Sequence, residues 1–460
     1  MFFGKHRSGS LLILKWHSGV GNFVLRFKTE VFMKLQLKDI LLGVATAATQ
    51  IEGDDRNNSW YDWAERGKVS DGSSPVLANQ HYRLYRQDID LMAQMGIQCY
   101  RFGVEWSRIQ PSEGTFDEQA LQHYLDEVRY MKSKGIEPML TLHHFTNPLW
   151  FERSGGWERK DASRVFISFA EKVLQYLGEE VSLYVTVNEP NVYATNGYFY
   201  GSWPPGKKSM SAVKRVLTNM TRAHIDAYGL IHDFREKRQL KDTKVGFANH
   251  LRVFEPQNGK NPYHRVCARL MEKIFQTSLT DAMMTGRCAF PVGKTGRPVG
   301  KYYDFIGINY YTRSTVSGFK DGVKKGAPVN DLGWEIYPEG IAQLAKKLYD
   351  KYRAPVFITE NGTCDAADAF RSKYIYDHLY ALTNSGVPVE RYYHWTFIDN
   401  FEWAEGQSAP FGLVALDFNT QQRTIRPSGL FYSDIIKNHG VTQQAYDKYI
   451  CEKQDCRTAD

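Results

Sequence analysis

The chain has 460 residues, 42% of them apolar, six cysteines and a formal net charge of +7. Lys5, Arg7, Lys15, Arg26 and Lys28 against Glu30 alone put most of that charge in the first 32 residues and leave only +3 for the rest, too mild for a nucleic-acid footprint. No apolar run nears the ~18–20 residues of a membrane span. Cys99, Cys267, Cys288, Cys364, Cys451 and Cys456 form neither CxxC pairs nor a metal-ligand cluster, so a cytoplasmic protein with free thiols and no metal is expected.

In chain order, residues 1–32 sustain neither helical nor strand periodicity. Their apolar piece Leu11–Leu14 is broken by Lys15 and His17, so no secretory core is read there, only a poorly ordered N-terminal extension. Met33 opens a segment, MKLQLKDILLGVATAATQIEG, that reads as the start of a single domain over 33–460. Short apolar runs predict strands at Leu41–Thr46, Cys99–Gly103, Glu137–Leu142, Leu183–Val187, Val245–Asn249, Phe305–Asn309, Val356–Thr359 and Tyr393–Thr396. Amphipathic stretches predict helices at Ala78–Met95, Glu118–Lys134, Asp161–Leu177, Ser209–Arg238 and Pro338–Tyr352, with Gly96 and Gly135 as left-handed stops. Eight strands alternating with helices give the α/β class and a single (β/α)8 TIM barrel.

In such a barrel a ligand meets the C-terminal ends of the strands. Those ends carry Gln50 and Glu52, Arg101, His143 and His144, Asn188 and Glu189, Asn309, Tyr310 and Tyr311, Glu360 and Asn361, and Trp395. Two carboxylates stand out. VTVNEP places Glu189 after an apolar strand and before Pro190, which ends any preceding helix. VFITENG places Glu360 at the end of another, with Gly362 freeing the turn. Glycosidic cleavage needs such a pair, one to protonate the leaving oxygen and one to attack or stabilise the anomeric carbon. A separation of roughly 5–5.5 Å implies retention, and roughly 6.5–9.5 Å inversion.

TVNEP and ITENG, with QIEG, YRFGVEWSRI, TLHHF, GINYYT and WTFIDNFEW in this order, resemble glycoside hydrolase family 1, the β-glucosidase family. The resemblance implies a cofactor-free retaining β-glycosidase acting on a small β-glycoside or oligosaccharide. It assigns Glu189 as acid/base and Glu360 as nucleophile, supported by Arg101 and by Tyr311 rather than Tyr310. It gives Asn188 the sugar 2-hydroxyl, gives Gln50, His144, Glu402 and Trp403 the far hydroxyls, and makes Trp395 the platform under the ring. Arg101 and Tyr311 should then lower the pKa of Glu360, while the Glu360 charge raises that of Glu189.

Several of these residues have blander readings. His143 reads better as a core residue than His144, Trp395 and Trp403 can serve packing, Glu52 reads as structural, and Cys364 as a bystander. Glu402 would repel a 6-phosphate, which favours plain β-glucosides, with β-galactosides or β-fucosides accepted, over a 6-phospho-β-glycosidase. The same residues would also serve a transglycosidase or, more distantly, an inactive sugar-binding barrel. The chain departs from the family pattern in GQSAPFGL, where Gln407 and Pro410 replace an aromatic residue and an arginine, which threatens the support of that loop.

Overall fold

The structure is a computed structural model describing residues 33–37, 39–451 and 457–458. The extension expected over residues 1–32 lies outside them.

Eight parallel strands close into a barrel. They are β1 (Leu41–Ala45), β2 (Cys99–Gly103), β3 (Glu137–Thr141), β4 (Leu183–Asn188), β5 (Lys244–Pro256), β6 (Ile306–Val316), β7 (Val356–Asn361) and β8 (Val389–Trp395). Each neighbours the next in chain order, and β8 closes on β1 through Arg391↔Leu41 to Trp395↔Ala45. All eight expected strands are present.

Three differ by more than two residues at one end. β8 starts four residues before Tyr393, because the charged Glu390 and Arg391, which pair with Lys244 and Glu137, interrupt the apolar run. β5 and β6 outrun their expected ends at Asn249 and Asn309. After a register shift between Leu251 and Val253 they pair onward from Val253↔Arg313 to Pro256↔Val316. The cross-strand ion pair Arg313–Glu255 at 3.0 Å supports this projecting ribbon.

Helices fill the crossovers: α1 (His81–Gln94), α2 (Glu118–Ser133), α3 (Ala162–Leu177), α4 (Met210–Glu236), α5 (Pro262–Glu272), α6 (Ser278–Thr285), α7 (Glu339–Tyr352), α8 (Arg371–Thr383) and α9 (Pro427–Asn438). Asp117 caps α2 by accepting from the backbone N–H groups of Gln119 and Ala120. Gly96 and Gly135 stop α1 and α2 at φ 76° and 75°. Ile97 N–H then donates back to Met92 O, and Ile136 N–H to Met131 O, which satisfies carbonyls the helix ends would leave open.

The core lies between strands and helices. On α3, Phe166, Phe169, Ala170, Val173, Leu174 and Leu177 are all fully buried at helical spacing. Emptying one large site, as in Phe169→Ala, would cost about 3–5 kcal/mol. Among the described residues no helix is long and apolar enough to cross a membrane. Cys99, Cys267, Cys288, Cys364 and Cys451 are free.

The chain leaving β7 is tightly confined. A Cβ added to Gly362 would collide with the carbonyl oxygen of Trp395 at the end of β8. Glycine is therefore required there for space rather than for its backbone angles.

Candidate active site

The barrel's C-terminal end gathers the expected residues. Glu360, on β7, accepts on Oε1 from Arg101 Nη1 at 2.5 Å and on Oε2 from the Tyr311 hydroxyl at 2.6 Å. Arg101 rises from β2 fully buried, with every donor group directed: Nε to Thr141 Oγ1, Nη1 also to Thr359 O, and Nη2 to Asn188 Oδ1 at 2.7 Å. A buried guanidinium is stable only if its fork is satisfied in this way.

Glu189 follows β4 and adopts φ 43° before Pro190, the first residue of a short helix. A non-glycine residue in this region stores roughly 1–3 kcal/mol of strain, which the surrounding structure must hold. Its backbone N–H is fixed to Ala248 O at 2.8 Å. Its Oε1 accepts from Asn309 Nδ2 at 2.8 Å and lies 3.3 Å from His250 Nδ1. Phe145 and Trp403, also at this end, share positive φ at 67° and 50°.

A polar chain joins the two carboxyl groups. Arg101 connects Glu360 to Asn188, and Asn309 Nδ2 donates both to Asn188 Oδ1, at 3.0 Å, and to Glu189. Asn309 is also the register partner of Glu360, and its Oδ1 accepts from Thr359 Oγ1 at 2.6 Å. Glu189 therefore lies close enough to Glu360 for its charge to act on that carboxyl.

Protonation follows from burial. Dehydration pushes the Glu360 carboxyl up to about 7; the charge of Glu189 adds to the rise, and Arg101 and Tyr311 oppose it. The expectation that Arg101 and Tyr311 would leave Glu360 below its ordinary value is thus corrected, since removal of water outweighs one cation and one hydroxyl. Burial, then the Glu360 charge, lifts the Tyr311 phenol well above its usual range, so it stays a donor. Burial lowers His144 well below its ordinary value and lowers His250 too, against the pull of Glu189.

A second group forms around the loop after β8. Gln50 Nε2 donates to Asn400 Oδ1, Phe401 O and Glu402 Oε2 at 3.2, 2.8 and 3.1 Å. His144 lies between the rings of Trp395 and Trp403, with centroids 5.6 and 5.7 Å away, and its Nε2 accepts from Asn188 Nδ2 at 2.8 Å. Burial pushes Glu402 up to about 8, against hydrogen bonds from Trp395 and Gln50. Three buried atoms in this group have no partner within the protein: Gln50 Oε1, His144 Nδ1 and Asn400 Nδ2. A hydroxylated ligand at this end of the barrel would offer them partners.

All the expected site residues meet here: Gln50, Arg101, His144, Asn188, Glu189, Tyr311, Glu360, Trp395, Glu402 and Trp403. The bland readings separate from them. His143 bonds Asn147 at 3.0 Å and packs on Trp157 and Tyr193. Glu52 pairs with Arg108 at 2.7 Å. Burial drives the Cys364 thiol up to about 12. Sequence reading missed His250, which sits mid-strand without a motif, and gave no role to Asn309 or Asn400.

The substituted loop is supported from elsewhere. Fully buried Arg371, on α8, donates to Pro410 O at 3.0 Å and to Asp365 O at 2.7 Å. Arg426 Nη2 pairs with Asp399 at 2.7 Å. The Gln407 backbone N–H donates to Asp71 at 2.7 Å.

Comparison with known proteins agrees with this geometry. A family model, "Glycosyl hydrolase family 1", matches residues 34–441. Beta-glucosidase A of Thermotoga maritima is 31% identical over 87% of this chain and 97% of its own length. The solved beta-glycosidase from Pyrococcus horikoshii superposes with a TM-score of 0.82 at 35% identity, covering 91% of this chain and 98% of the other. The Thermotoga maritima beta-glucosidase in complex with glucoimidazole superposes with a TM-score of 0.82 at 29% identity, over 88% and 100%. With its closed barrel and paired glutamates, the chain belongs to glycosyl hydrolase family 1 and is a glycoside hydrolase.

Proposed function

We propose that the protein is a retaining β-glycosidase that removes a terminal, unphosphorylated β-D-glucosyl residue and also accepts β-galactosides or β-fucosides. The carrying observation is the trio of buried, unpartnered polar atoms, Gln50 Oε1, His144 Nδ1 and Asn400 Nδ2, beside two linked carboxyl groups. A ring of hydroxyls supplies the missing partners, and its apolar face suits the Trp395 indole.

In the first step Glu360 bonds to the anomeric carbon as the glycosidic C–O bond breaks, and Glu189 gives its proton to the departing oxygen. In the second, Glu189 takes a proton from water, whose oxygen displaces Glu360 and restores the original anomer. Arg101 and Tyr311 hold Glu360, and Asn309 fixes one Glu189 oxygen so that the other faces the leaving group. Asn188 has one Nδ2 hydrogen uncommitted, available to the 2-hydroxyl.

A phosphorylated sugar is disfavoured on a ground other than charge repulsion. Burial raises Glu402 to about 8, which weakens repulsion of a phosphate at neutral pH. The groups acting most strongly on it, Trp395, Gln50, Glu360 and Glu189, include no cation to hold a phosphate. Residues 33–460 form the catalytic domain in this reading, supported by the pairing of Met33–Gln36 with Gly440–Thr442. A cytoplasmic residence is supported by the free thiols.

The test is Glu360→Ala assayed on nitrophenyl β-glycosides, with and without a 6-phosphate. Loss of nearly all turnover and partial recovery with azide, giving the α-glycosyl azide, is expected. No recovery with any small anion overturns the nucleophile assignment.

A further inference from the structure

His250 is buried on β5 with Nδ1 3.3 Å from Glu189 Oε1, yet it has no part in either step of the reaction. Its ring lies nearly parallel to that of Tyr311, with centroids 5.7 Å apart, and meets the Phe275 ring edge-on at 6.1 Å. Two polar side chains fix the segment that carries it. Asn191 Nδ2 donates to His250 O at 2.8 Å. Gln276 accepts from the Arg252 backbone N–H at 2.9 Å and donates to Arg252 O at 3.0 Å. These bonds stand in for ladder bonds where the register with β6 shifts, between Leu251 and Val253.

The ring proton of His250 has one place to go. Arg252 Nε donates to His250 Nε2 at 2.8 Å, and a guanidinium has no acceptor to offer in return. Nε2 therefore carries the lone pair, and the single proton of the neutral ring sits on Nδ1, the nitrogen beside Glu189. A second proton would have to enter at Nε2 against the Arg252 N–H and its charge. Burial, the largest influence, lowers His250, and the Arg252 charge adds to this against the pull of Glu189. Arg252 is anchored in turn, since its Nη1 pairs with Asp321 at 2.9 Å. The charged or titratable groups around the ring are thus Glu189 after β4, Arg252 on β5, Tyr311 on β6 and Asp321 beyond β6.

Glu189 Oε1 already accepts from Asn309 Nδ2 at 2.8 Å. With the His250 N–H beside it, Oε1 faces two donors and no acceptor, which leaves the carboxyl proton to Oε2. We propose that His250, keyed by Arg252, is a positioning residue that confines the acid proton of Glu189 to Oε2 and stays neutral through both steps. The inference rests on the assignment of Glu189 as acid/base. A neutral donor at Oε1 also favours the carboxylate, so it helps Glu189 surrender its proton to the departing oxygen.

The experiment measures kcat/KM against pH for hexyl and dinitrophenyl β-D-glucosides in the intact chain and its variants. His250→Phe keeps a ring on Tyr311 but removes the donor, so the basic limb for hexyl glucoside should rise by about 0.5–1 pH unit. Hexyl glucoside should also lose roughly tenfold at its optimum, while dinitrophenyl glucoside, whose departure needs no proton, should change by roughly twofold or less. His250→Asn, which returns a side-chain N–H near the place of Nδ1, should recover most of both effects. Arg252→Met frees Nε2 for a second proton, and the imidazolium so formed should move the basic limb the other way, downward. That downward shift should vanish when His250→Phe is added. Shifts of the same sign in the two single variants, or equal losses on both substrates in His250→Phe, overturn the proposal. A basic limb unmoved in both single variants overturns it too. If Glu189→Gln then abolishes that limb in its residual turnover of hexyl glucoside, the acid/base assignment stands; if the limb survives there, both fall.

Discussion

Arg101 Nη1 sits 2.5 Å from Glu360 Oε1 while its Nη2 holds Asn188, so one fully buried side chain positions both the proposed nucleophile and its neighbour on β4. Lysine carries the charge but not the fork. Arg101→Lys is expected to lower kcat/KM by roughly 10²-fold through misplacement of the nucleophile. It should also shift the acid limb of the pH–rate profile upward, because a displaced ammonium opposes the burial of Glu360 less than the directed guanidinium does. Steady-state kinetics across pH checks this, and an unmoved acid limb counts against Arg101 as the supporting cation.

Removing the proposed proton donor should matter in proportion to the leaving group's need for a proton. Glu189→Gln is expected to reduce turnover of alkyl glucosides by about 10²–10⁴-fold, the usual worth of general acid catalysis. A dinitrophenyl glucoside should form the glycosyl-enzyme almost normally, visible as a burst followed by slow release. Equal losses on both substrates would remove Glu189 from the role.

Stability should peak in weakly acidic solution. Burial lowers His143 and His224 to about 4, and His378 and His394 to about 3. These groups contribute stability in full above pH ~6.5, lost as pH falls toward 4 and then 3. Glu105 and Glu402 are raised by burial to about 8, and Glu360 to about 7. Their contribution is complete below the unfolded carboxylate range near pH 4.5 and disappears as pH rises through 7 to 8. The Tm should therefore be highest between about pH 4.5 and 6.5, as thermal scans in a series of buffers would show.

Glu402 ties that stability profile to function. Glu402→Gln removes a carboxyl that must ionise in a dry site, so the variant should melt higher than the wild type at pH 8.5 and close to it at pH 5. The same change should weaken the sugar grip, with KM for nitrophenyl glucoside rising at least tenfold. A variant that loses binding without gaining alkaline stability would show that Glu402 is better solvated than its surroundings indicate.

Much of this site is legible in the chain itself. Eight apolar runs, and the glycines after Met95 and Lys134, carry the barrel because strand burial and helix termination leave local marks. Glu189 and Glu360 are visible because each follows an apolar strand and meets a residue that redirects the chain, Pro190 or Gly362. His250 leaves no such mark, since its role depends on a tertiary approach to Glu189 and Tyr311. The order of acidities also lies beyond the sequence: a nearby cation can be inferred from a motif, but the water removed around Glu360 cannot. Support for the loop containing Pro410 is likewise hidden, because Arg371 reaches it from another helix.

The crowding at Gly362 has a further consequence for how far this enzyme can be altered. The segment bearing the Glu360 carboxyl runs flush against the main chain of Trp395, with no slack for a single extra methyl. Any side chain larger than hydrogen at 362 would wedge two neighbouring staves of the barrel apart, disturbing the proposed nucleophile and the proposed stacking surface together. Laboratory evolution of new specificities should leave this position untouched even while every wall of the pocket around it changes.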